Sequence, residues 1–289
     1  MELASYRQNV FSQNGEDGVI AKIFDVLNIT GGYVCEFGAW DGIHLSNTHF
    51  LYRGNPPGFS YIPILIESDP SKFAKLEKNL NDIEKKYIAN TLINKDPSHP
   101  DCLNKVLQKF NIPDLQENFS LLSIDVDGPD YEIWKGFTEY KPKVVIIETS
   151  QLLNPSEKIY PYKDGGATPG ILVDLAKEKG YELICHTGTN LIFVLESLFD
   201  KFQIDDNSID KLFIYMGPTA TLKCAQLGYM SPEQAQEEIA YNAAHGLADT
   251  LAPGLSDYGN PWPVISLPRR RNVNVRDRAY IRTRRITEM

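Results

Sequence analysis

The chain has 289 residues, 42% of them hydrophobic and 11% aromatic, enough to bury a core and to exclude disorder throughout. Its net charge of −9 argues against nucleic acid as the main partner, because an acidic body repels a phosphate backbone. Its longest apolar runs, about five to seven residues, fall far short of a membrane span.

Residues 1–7 lack a basic stretch followed by an apolar one, so no secretory signal is expected. Phe11 to Gly18 lead into Val19–Leu27, whose apolar residues recur at helical spacing, with Ser12 or Asn14 as the expected N-cap. After Gly31 and Gly32, Tyr33 to Phe37 reads as a strand that breaks at once into Gly38, Ala39, Asp41 and Gly42. A second strand, Ile62 to Ile66, ends in Glu67 and is followed by a helix over 70–81 with Phe73, Leu76 and Leu80 on one side. A third strand is expected over 87–93 and a helix over 101–110. The fourth strand, 120–124, ends in Asp125-Val-Asp-Gly128, with a short helix over 131–137. The fifth, 143–147, ends in Glu148. A loop rich in Pro and Gly leads to a helix over 169–179 that Gly180 terminates. Two strands, 181–185 and 191–195, joined by His186 to Asn190, read as an antiparallel pair. Past residue 205 the strand pattern fades: a helix over 231–245 and a Pro- and Gly-rich stretch over 251–268 read as an appendage.

The sum is a doubly wound α/β sheet of about seven strands with a final antiparallel strand pair, an architecture that binds ligands at the carboxyl ends of its strands. Glu36, Glu67, Asp125, Asp127 and Glu148 all fall at expected strand ends, which gathers five acids at one rim. A strand, a glycine turn and an acid at the tip of the next strand outline a nucleoside site. The nucleoside is either S-adenosylmethionine (SAM) or a dinucleotide. An NAD-dependent oxidoreductase or epimerase requires G-x-G-x-x-G; Trp40 stands at its second glycine and would obstruct a pyrophosphate. No P-loop motif occurs. Cys35, Cys102, Cys185 and Cys224 lie far apart with no CxxC, which points to a reduced, cytoplasmic protein without a zinc site.

Together Glu36-Phe-Gly-Ala-Trp-Asp-Gly42, Glu67, Leu122-Ser-Ile-Asp-Val-Asp-Gly128 and Val144-Val-Ile-Ile-Glu148 resemble the FkbM-type SAM-dependent methyltransferases, and Ser12 to Gly18 resembles a branch of that group. The similarity spans about residues 10–205. It implies a class I methyltransferase-like fold over residues 1–205, with 206–289 as the appendage, and O-methylation of a sugar, nucleotide-sugar or other hydroxyl-bearing metabolite. On this reading Gly38, Ala39 and Gly42 let the turn approach the methionine part of SAM, and Glu36 or Asp41 accepts from its ammonium. Glu67 takes both ribose hydroxyls, and Gln13, Glu16 and Asp17 close over the amino-acid end. The alternative is a binding module that keeps the fold without catalysis.

Methyl transfer to a hydroxyl needs a general base. Asp127 is the first candidate, as base or acceptor ligand, with Asp125 beside it; His186 ranks above His44 and His49 because Thr187 and Asn190 add polar groups at the same rim. Asp125, Asp127 and Glu148 also form a candidate site for Mg²⁺ or Mn²⁺. Tyr131 and Trp134 are candidates to stack on a sugar, with packing against the sheet the commoner role. Eight of the ten arginines lie between Arg269 and Arg285; against Asp277 and Glu288 the tail carries about +6 and the remainder about −15. Such a tail either docks on an acidic surface, its own or a second subunit's in a homo-oligomer, or is solvated.

Overall fold

A computed structural model describes residues 1–53, 58–150, 155–161 and 166–214, together with positions 236 and 240. The helix expected over 231–245, the Pro- and Gly-rich stretch and the Arg-rich tail therefore lie almost wholly outside the described residues. Among the described residues no helix is long and apolar enough to cross a membrane.

Among the described residues seven strands form one sheet: β1 (Gly31–Phe37), β2 (Ser60–Glu67), β3 (Tyr87–Asn90), β4 (Phe119–Ile124), β5 (Val144–Glu148), β6 (Tyr181–His186) and β7 (Asn190–Leu195). Their order is β3-β2-β1-β4-β5-β7-β6. The first five are parallel; β7 inserts antiparallel beside β5, and β6 pairs antiparallel with β7. This is the expected doubly wound seven-stranded sheet with its closing antiparallel pair. The central strands are near-continuous apolar runs because both faces are covered. Tyr33, Cys35, Phe37, Ile66, Leu122, Ile124 and Ile147 project to one face, under α4 (Leu103–Lys109), α6 (Asp130–Gly136) and α7 (Pro169–Glu178). Val34, Leu65, Leu121 and Ile146 project to the other, under α1 (Glu16–Leu27) and α3 (Pro70–Asn79).

The strands and long helices fall where periodicity predicts them, and the differences are local. Strand β3 stops at Asn90, because the Asn90 side-chain amide turns back to donate to the Glu67 and Ser68 carbonyls. The residue before α1 is Gly15, in a left-handed conformation, rather than Ser12 or Asn14. Ser12 serves the first turn from further away: its hydroxyl accepts the Asp17 amide at 3.1 Å while the Asp17 carboxylate accepts the Ser12 amide at 2.8 Å. The short helices α2 (His49–Arg53), α5 (Leu115–Asn118), α8 (Glu196–Phe199) and α9 (Ile209–Leu212) carry no period long enough to read. Ile209 and Phe213 join the main core, so packing continues past residue 205.

Candidate functional site

The sheet reverses its strand order on either side of β1, and the crevice beyond the carboxyl ends of β1 and β4 is where such sheets hold ligands. Register sets what stands there. Phe37 pairs with Ile66 and with Ile124, and Ile124 pairs with Ile147. The next residue on each strand is Gly38, Glu67, Asp125 and Glu148, so these four form one row at the rim.

Gly38 is exposed, with φ +77°. A Cβ there would lie 1.9 Å from the Asp125 carbonyl oxygen, so only glycine lets the turn leave β1 so close to β4. The Ala39 amide extends the β1–β2 pairing onto the Ile66 carbonyl, and the Gly42 amide closes the turn on the Ala39 carbonyl at 2.7 Å. Trp40 occupies the left-handed region at φ +49°, rare for a bulky residue. Its amide is held by Glu67 Oε2 at 2.8 Å, and Glu67 Oε1 accepts the Asp69 amide at 2.7 Å. Glu67 thus faces the glycine turn, and each of its oxygens keeps further acceptor capacity. The indole of Trp40 is 39% exposed.

The rim acids divide into two groups that the sequence does not distinguish. Glu36 is 6% exposed: Oε1 accepts the Asn47 amide at 2.9 Å, and Oε2 accepts the Ser46 and Thr48 hydroxyls at 2.6 and 2.7 Å. The Asn47 side chain continues this network to Ser123 on β4. Burial raises the Glu36 carboxyl above the usual carboxylate range, against those hydrogen bonds. Glu36 therefore braces the 46–48 loop and is not placed to receive a cofactor ammonium. Asp41 Oδ1 caps the Ile43 and His44 amides, which makes it a turn residue.

Asp125 and Asp127 are exposed and Glu148 half-buried, and an oxygen of each lies within 4.8 Å of the others. Asp130, buried at the start of α6, shapes the connecting loop by accepting the Val126 and Gly128 amides at 2.9 and 3.0 Å. Asp127 sits at φ +55°, which turns the chain at the rim. The Asp125 side chain opens to the crevice but has protein on its other sides. That enclosure, then the charges of Asp130, Asp127, Glu36 and Glu16, raise its carboxyl to about 7.

The N-terminal segment crosses the same rim. Gln13 is exposed, whereas Glu16 and Asp17 are fully buried. Asp17 Oδ2 gathers the amides of Val10, Phe11 and Ser12 and the Ser12 hydroxyl, all at 2.7–2.8 Å. Burial nevertheless raises its carboxyl to about 6. Glu16 accepts the Asn14 amide, the Thr187 hydroxyl and the Asn190 side-chain amide. Both acids tie the segment down, and of the three only Gln13 is exposed.

His186 is not at the rim in the sense the sequence suggests. It is fully buried, stacked on Phe213 with ring centroids 4.4 Å apart, and Nδ1 accepts the Ile214 amide at 2.8 Å. Burial lowers it to about 3, so it is a neutral core residue and not a base that reaches substrate. His49 is likewise buried, bonded to the Gly42 carbonyl through Nδ1 and lowered to about 4. His44 lies 5.0 Å from the Trp40 ring. Trp134 is buried against Phe193 and Tyr181, while Tyr131 packs on Tyr160 at 4.6 Å.

Three features at the rim are missed by sequence reasoning: Asp130, the buried Ser46–Thr48 partners of Glu36, and Lys72. The Lys72 ammonium lies 3.5 Å from the Trp40 ring centroid. Only Asp130 carried a signal, as an acid opening a helix.

No protein-family profile matches the chain, and no curated protein sequence matches it. Solved structures similar to it include a candidate RNA methyltransferase from Pyrococcus horikoshii, at 15% identity over 64% of this chain and 87% of that one, TM-score 0.37. A SAM-dependent methyltransferase from Aquifex aeolicus is 10% identical over 62% of this chain and 88% of that one, TM-score 0.37.

 A SAM-dependent methyltransferase from Clostridium acetobutylicum is 10% identical over 65% of this chain and 93% of that one, TM-score 0.39.

Proposed function

We propose that the chain is a SAM-dependent methyltransferase of the FkbM type that methylates a hydroxyl of a sugar, nucleotide-sugar or glycan-linked metabolite. The observation that carries this reading is the register row: a bare glycine turn at Gly38, an acid turned toward it at Glu67, and Asp125 and Glu148 on the next strands. Bound SAM supplies a methyl group on a sulfonium that leaves as a neutral thioether. Gly38, Ala39 and Gly42 admit the methionine part, and Glu67 accepts from the ribose hydroxyls through the lone pairs that its two amide contacts leave over. Asp125 takes the proton of the acceptor hydroxyl: its carboxyl, raised to about 7, matches a base working near neutrality. Asp127, exposed beside it, orients the acceptor. Residues 1–205 carry this chemistry, and the appendage from 206 covers the site or joins subunits.

A second reading of the same acids is a divalent cation. Three carboxylate oxygens within 4.8 Å of one another suit a hard ion such as Mg²⁺ or Mn²⁺. Calorimetry with SAM and S-adenosylhomocysteine, followed by transfer of labelled methyl to hydroxyl-bearing sugars, tests the main reading. Absence of binding by both nucleosides at high micromolar concentration ends it.

A further inference from the structure

Trp40 has three properties that the proposed chemistry leaves unused. It is held in a strained left-handed conformation at φ +49°. Its amide is bonded to Glu67, the carboxylate that takes the ribose on the reading above, so its Cα stands beside the sugar position. Its indole is 39% exposed and presents a face to the Lys72 ammonium at 3.5 Å. In the free chain the ammonium covers this face, in a contact that is weak where it is exposed. Lys72 is on α3, three residues past Asp69, whose amide holds the other Glu67 oxygen. The indole, the ammonium and the carboxylate are therefore one cluster.

We propose that the exposed indole of Trp40 is the stacking face for the base of the nucleoside whose ribose Glu67 holds, and that Lys72 competes with the base for it. This rests on the nucleoside reading of the site. Aromatic side chains take bases of any identity on their π-face, and an exposed cation–π contact is weak enough to be displaced. The backbone strain has a purpose on this account: the left-handed turn sets the exposed ring beside Glu67.

The test is calorimetric titration of S-adenosylhomocysteine into the wild-type chain, Trp40→Leu, Trp40→Phe and Lys72→Met, with tryptophan emission followed in parallel. Trp40→Leu is expected to bind at least ten-fold more weakly, a loss of about 1.4 kcal/mol. Trp40→Phe is expected to stay within about three-fold of wild type, and Lys72→Met to bind roughly two- to five-fold more tightly. Ligand should quench an emission component present in wild type and absent from Trp40→Phe. Unchanged affinity in Trp40→Leu, or weaker binding in Lys72→Met, overturns the proposal while leaving the nucleoside reading intact. Leu92, 71% exposed past the end of β3, is the competing wall: a loss in Leu92→Asp with none in Trp40→Leu assigns the base there instead. Failure of wild type to bind overturns both. Lys72→Met is a surface change, so the proposal stays testable if Trp40→Leu is unstable.

Discussion

Replacing Gly38 by alanine separates two costs that a glycine can hide. At φ +77° any side chain incurs the left-handed penalty, about 1–2 kcal/mol. The new Cβ would also fall 1.9 Å from the Asp125 carbonyl oxygen, where C···O contacts normally begin near 3.3 Å. Relief requires β1 and β4 to separate at the rim by roughly 1.4 Å. Strand pairing at Phe37 and Ile124 would be lost, for a total of about 4 kcal/mol. Gly58 supplies the control, because its φ is +91° and a Cβ there meets no described atom within 4 Å. Urea denaturation of both variants should show Gly38→Ala losing at least ~2 kcal/mol more than Gly58→Ala. S-adenosylhomocysteine binding should vanish in Gly38→Ala and persist in Gly58→Ala. Equal losses in the two variants would refute the claim that close approach to Asp125 is what requires glycine.

Asp17→Ala strips the acceptor from three successive amides and should cost about 3 kcal/mol, whereas Asp17→Asn, which keeps an oxygen, should cost about 1 kcal/mol; thermal unfolding resolves the two. Asp125 must be ionised to act as base, so turnover should rise with pH through about 7 and then level, and Asp125→Asn should lower kcat at least ~100-fold with little change in cofactor affinity. The stability sign is opposite: its folded value lies above the ordinary 3.8, so its contribution is present below that value and is lost as pH rises through about 7. Asp125→Asn should therefore gain stability over wild type at pH 8 and not at pH 3.5. Titration with Mn²⁺ should give a single site that Glu148→Gln weakens; indifference to chelator and to this substitution removes the cation reading.

The sheet was legible because each central strand is a short apolar run ended by a turn or an acid, a pattern that parallel strands buried on both faces require. The positions of the rim acids were legible for the same reason; their roles were not. Whether a carboxylate faces a ligand or a loop depends on which amides reach it, and those come from elsewhere in the chain. Glu36 is claimed by residues 46–48, and His186 is withdrawn by Phe213 and Ile214, neither of which carries a local signal. Asp17 reads as a helix-start acid whether it caps or gathers a preceding loop, and only the path of residues 10–12 decides.

Glu16 finds its partners at Thr187 and Asn190, and Asn14 finds one at Thr189. The front of the chain is thus fastened to a hairpin made more than 170 positions later. At ribosomal speeds of about 5–20 residues per second, that interval lasts roughly 10–35 seconds. Until then a nascent chain with five finished strands lacks the partners of Asn14 and Glu16, so the β6–β7 hairpin completes the fastening of the opening segment.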